Sequence, residues 1–149
     1  MKQEYGDVGP RPGWAVSDKP GSFRAYVDWL NRLARASFLN DGNHPEMFFF
    51  VGEEGALSGA QFPEGTASDQ KNEVIMRGAE DLHPFGTVRV RIVNANRINP
   101  DGSVSNALQR CLWMNSETRL GTKVVLASPI EEANEGWSLG DTMILQESG

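Results

Sequence analysis

The chain has 149 residues and a formal net charge of −6, a length that fits one domain able to bury its core without disulfides or metals. Its acidic balance argues against generic attraction to nucleic-acid phosphates, and no run of about 18 apolar residues is present to form a membrane-spanning helix. The single cysteine, Cys111, excludes an internal disulfide and, with no apolar leader at the N-terminus, points to a reducing, cytoplasmic setting.

Residues 1–21 hold three of the eight prolines and four of the sixteen glycines. Proline removes a backbone donor and glycine widens the unfolded ensemble, so this segment reads as an extended arm with Trp14 as its anchor. A single domain over 22–149 follows. Ser22 suits an N-cap. Phe23, Tyr26, Val27, Leu30, Leu33, Ala34 and Phe38 then recur at three- and four-residue steps, which predicts an amphipathic helix ending near Gly42.

Met47–Val51 is a continuous apolar run and reads as a buried strand. "GEEG" is a plausible hairpin connection to a weaker strand over Leu57–Phe62. Ser68 is the expected cap of a second helix over 69–82, whose Ile75, Ala79 and Leu82 share one face. Gly78 weakens that helix by about 1 kcal/mol relative to alanine. From Thr87 the period changes to alternation, with Val88, Val90 and Ile92 on one side and Arg89 and Arg91 on the other. "NPDG" at 99–102 is a turn, and 107–115, 122–128 and 140–146 read as further strands. "SPIEEANEG" reads as a loop between the last two. The fold class expected is α+β: a largely antiparallel sheet of about five strands, two helices packed on one face, and the N-terminal arm.

Both histidines, His44 and His83, precede proline. With Glu46 they are residue types that bind zinc, and a catalytic zinc site takes three protein ligands. No H-E-x-x-H, cysteine cluster or third histidine accompanies them. The plainer reading is that each His-Pro ends one element and starts the next extended, because proline pushes its predecessor out of the α region. "GALSGA" lacks the first glycine of a nucleophile elbow. "GEEGALSG" lacks the lysine of a phosphate loop, and "NANRINPDG" lacks the closing glutamate of a calcium loop. Glu131 and Glu132 form a solvated pair with no reason for a raised pKa, and Cys111 reads as a small buried hydrophobe. No cofactor is implied.

Arg89 and Arg91 share one strand face, with Arg97, Arg110, Arg119 and Lys123 in or beside neighbouring strands. Such a stripe suits an anion or an acidic partner, although Glu117 and other acids can match it. The expectation is a non-enzymatic protein acting through contact with a protein partner or with itself, for example as a homodimer, with Trp14, Arg89 and Arg91 as contact residues. The alternative is a small-molecule binder or metal-dependent enzyme using His44, Glu46 and His83.

Overall fold

A computed structural model describes residues 22–54, 56–99, 101–133 and 136–148. Helix α1 spans Ser22–Asp41. It is followed by β1 (Glu46–Val51), β2 (Leu57–Phe62), helix α2 (Ser68–Leu82), β3 (Gly86–Ile98), β4 (Val104–Thr118), β5 (Lys123–Ala133), β6 (Gly136–Leu139) and β7 (Met143–Ser148). All seven strands join one antiparallel arrangement in the order β2-β1-β3-β4-β5, with β6 and β7 each pairing a different half of β5. The α+β class is as the alternation and the helical stripe predict, with more strand than expected.

The extra strand comes from "SPIEEANEG". That segment carries β5 onward through Glu132 and returns as β6, with Glu131 opposite Ser138 and Glu132 opposite Trp137. Its polar composition suits a loop, but the hairpin leaves Glu131 and Glu132 exposed while Ile130, Trp137 and Leu139 pack against the α1 core.

The stripe on α1 packs as its spacing dictates. Tyr26, Val27, Leu30 and Phe38 are fully buried against Val88, Val90, Leu112, Met114, Val124 and Leu126. The helix stops where Gly42, at φ +72°, donates its N–H to the Phe38 carbonyl at 2.7 Å. Its C-terminal half also makes polar contacts. Asn31 Nδ2 donates to Thr142 Oγ1 at 3.0 Å, and Arg35 reaches Ser128 Oγ at 3.0 Å and the Gly140 carbonyl at 2.8 Å. These bonds tie the segment before β7 to the helix.

The two helices do not share a face. In β1, Phe49 and Val51 join the α1 core, whereas Phe48 and Phe50 pack with Phe62 and with Ile75 of α2. Successive side chains of a strand point to opposite sides, so α2 covers the reverse face. The stripe that meets the sheet is Lys71, Ile75 and Gly78 rather than Ile75, Ala79 and Leu82; Leu82 is exposed. A Cβ at Gly78 would lie 2.2 Å from Phe50 Cζ, so this glycine lets the helix approach the ring. The Ser68 cap is also displaced by one residue. Ala67 holds the cap position with no side-chain bond, and Ser68 is already helical. Among the described residues no helix is long and apolar enough to cross a membrane.

The longest pairing is the β3–β4 hairpin, from Gly86↔Thr118 to Ile98↔Val104, with a register shift after Asn96. Strand β1 flanks β3 only up to Val90, and β5 flanks β4 only from Cys111 onward. Beyond those points the hairpin runs on as a two-stranded ribbon. Its tip closes as "NPDG" predicts, with Gly102 at φ +88° donating to the Asn99 carbonyl at 2.9 Å.

Candidate functional site

The two histidines stand at opposite ends of β1. Phe85 donates its N–H to the Val51 carbonyl at 2.8 Å, which puts His83 beside the end of the strand. His44 lies two residues ahead of its start at Glu46. Seven residue steps of extended chain amount to roughly 20 Å, whereas two histidines on one zinc ion each sit ~2 Å from it. A shared metal using His44, Glu46 and His83 is therefore outside this geometry. Among the described residues no group of three His, Cys, Asp or Glu side chains converges as a metal site requires.

Each histidine instead marks a bend. His83 adopts the left-handed conformation (φ 44°, ψ 56°) and donates its N–H to the Ala79 carbonyl at 3.2 Å, ending α2 ahead of Pro84. His44 is buried in the turn between α1 and β1. Its Nδ1 lies 2.7 Å from the Pro45 carbonyl oxygen, which only accepts, so Nδ1 carries the hydrogen. Burial pulls the imidazole pKa below its ordinary value, against smaller raising effects from that bond and from Asp41.

His44 and Glu46 do share a cleft of about 630 Å³ with Arg91. It opens where β1 stops and β3 continues. Its walls are Asn43–Glu46, the end of β2 from Gln61 to Gly65, Lys71 of α2, residues 91–93 of β3, and Arg110 of β4. Glu46 is held twice: Oε1 accepts from Lys71 Nζ at 2.7 Å, and Oε2 accepts from Arg89 Nε at 2.7 Å. Partial burial pushes its pKa up, but the bonds from Lys71 and Arg89 outweigh it and hold the carboxyl below its ordinary value. Arg91 differs from Arg89. It faces the same cleft half-buried, and its Nε is buried with no hydrogen-bond partner.

Arg119, Lys123 and Arg110 are matched locally. Arg119 pairs with Glu53 and lies 5.5 Å over the Phe85 ring; Lys123 lies 3.9 Å from Glu117; Arg110 lies 5.4 Å over the Trp137 ring. Arg97 is exposed near the ribbon tip. The basic stripe thus divides into Arg89, Arg119 and Lys123, which pair with carboxylates, and Arg91, Arg97 and Arg110, which have no carboxylate partner among the described residues. Cys111 is buried, and burial alone pushes its thiol pKa up, so it is no activated nucleophile. Ser58 is exposed on β2. Trp14 lies outside the described residues. Lys71 and the Arg110–Trp137 stack were not singled out from sequence. The i, i+4, i+7 spacing of Lys71, Ile75 and Gly78 is the signal that places Lys71 against the sheet. The stack carries no local sequence signal, because it depends on the β5–β6 hairpin.

No family model, curated protein or solved structure matches the chain.

Proposed function

We propose that this protein works without catalysis, through head-to-tail contact between its own copies, with the β3–β4 ribbon as the docking element. One observation carries the reading. From Arg91 to Ile98 and from Val104 to Leu108 no strand pairs with the ribbon on either flank among the described residues. Its Ile98, Val104 and Leu108 are 42%, 65% and 67% exposed. Unpaired N–H and C=O groups along an edge are a template for another strand, and exposed apolar side chains beside them add burial energy on contact.

The complementary surface is the opposite margin of the sheet. Among the described residues strand β7 pairs only with β5, along one edge, and Ile144 is 53% exposed. Exposed acids, Glu131, Glu132 and Asp141, lie along this margin. The ribbon carries Arg97 and Arg110 against one acid, Asp101. That asymmetry favours ribbon against margin over two ribbons pairing about a two-fold axis. Unlike patches in contact give a ring or an open filament.

Sedimentation of the full chain over a range of concentrations tests this. Species larger than a monomer are expected, and Leu108→Glu or Ile144→Glu should each abolish growth beyond a monomer. Mixing the two variants should restore a dimer and nothing larger, because each retains one intact half of the contact. A monomer at every concentration, or a mixture that stays monomeric, contradicts the proposal.

A further inference from the structure

We propose that the cleft at the start of β1 is a binding site for a small organic monocarboxylate, with Arg91 as the residue that grips the anion. The inference is independent of self-association. Its first support is the state of Arg91. A guanidinium offers five N–H donors in a fork that matches a carboxylate, and a buried donor left without a partner is costly. Among the described residues Arg91 Nε is buried and unsatisfied, and no carboxylate forms an ion pair with Arg91. The acid nearest along the strand register, Glu46, is already committed to Lys71 and Arg89. Those two bonds neutralise Glu46 and leave the wall behind it cationic.

The second support is the shape and chemistry of the space. About 630 Å³ is the size of a small-molecule site. Phe62, Pro63 and Val93 line it with apolar surface next to the cations, which suits an acid with an apolar body. The charge of the ligand follows from the acids present. Glu46 and Glu64 offset two of the three lining cations, Lys71, Arg91 and Arg110, which leaves a net charge of +1 that one carboxylate balances and a dianion exceeds. Neutral His44 adds no charge and closes one wall.

The test is titration of the full-length protein with benzoate, its uncharged isostere benzamide, and inorganic phosphate, followed by two-dimensional NMR and calorimetry. Benzoate should saturate, shifting the Arg91 side-chain N–H resonance and the amides of 44–46 and 91–93. Arg91→Gln should weaken benzoate by roughly tenfold or more, the size expected for a charge-assisted hydrogen bond. Arg91→Lys keeps the charge but loses the fork, so it should also weaken binding; it serves where the glutamine variant fails to fold. Three results would each overturn the proposal: no saturable benzoate binding, equal binding of benzamide, or unchanged affinity in a folded Arg91 variant. Phosphate binding as tightly as benzoate would overturn the monocarboxylate assignment. Sedimentation of the Arg91 variants should match the parent, which separates failure here from failure of the assembly reading.

Discussion

Replacing Gly78 with alanine sets two effects of opposite sign against each other. Helix propensity alone favours alanine by about 1 kcal/mol in a helix interior. The structure opposes it, because the new methyl would stand 2.2, 2.5 and 2.8 Å from three atoms of the Phe50 ring. Real Cβ contacts do not come that close, so either the ring or the helix must move. Phe50 is buried at 5% exposure and packs on Phe48 with ring centroids 5.0 Å apart, so it has no open space to swing into. Overpacking of this kind costs about 1–3 kcal/mol. The net expectation is destabilisation by about 1 kcal/mol, read as a lower urea midpoint with an unchanged slope. Phe50→Leu shortens the ring that the methyl would strike. Gly78→Ala should therefore cost less in the Phe50→Leu background, or turn stabilising. A Gly78→Ala variant that gains the full propensity benefit in the parent would refute the seating of α2 on Phe50.

Other consequences follow from the same geometry. The Glu46 carboxyl has a folded-state pKa below its unfolded value, so its contribution is complete above about pH 4.3 and is lost as pH falls further. Acid unfolding curves should show a shallower fall below pH 4 in Glu46→Gln than in the parent. The depressed imidazole of His44 acts in the same direction over a higher window. Its contribution is present above about pH 6.5 and declines as pH falls, so His44→Gln should flatten stability between pH 6.5 and 5. His83 should tolerate asparagine within about 0.5 kcal/mol, since asparagine accepts the left-handed conformation; a larger loss in thermal melts would mean that the ring does more than end a helix. Buried Cys111 should resist a thiol reagent in the folded chain and react fully once unfolded; rapid labelling under native conditions would contradict its placement.

The parts of the fold legible in the sequence are those where one periodicity dominates. The stripe from Phe23 to Phe38 and the alternation from Thr87 to Ile92 each have a single buried partner surface, so their patterns carry through. Placement of α2 was legible but misread. "MFFFV" is apolar at every position, which is the mark of a strand covered on both faces, and it calls for one helix on each side. The β5–β6 hairpin was not legible, because Glu131, Glu132 and Ser138 interrupt the few apolar residues, Ile130, Trp137 and Leu139, that pack against the α1 core. The cleft lay further out of reach. His44, Glu46 and Arg91 are separated by up to 47 positions in sequence, and only the register that sets Met47 opposite Val90 brings them together. His83 falls at the other end of the same strand for the same reason.

Assembly through the ribbon is tested most directly by hydrogen exchange at its edge amides, measured at low and high protein concentration. If copies dock there, backbone amides within 94–98 and 104–108 should exchange more slowly as concentration rises, with matching protection along 143–148. Exchange at these amides that is fast and independent of concentration would contradict the account.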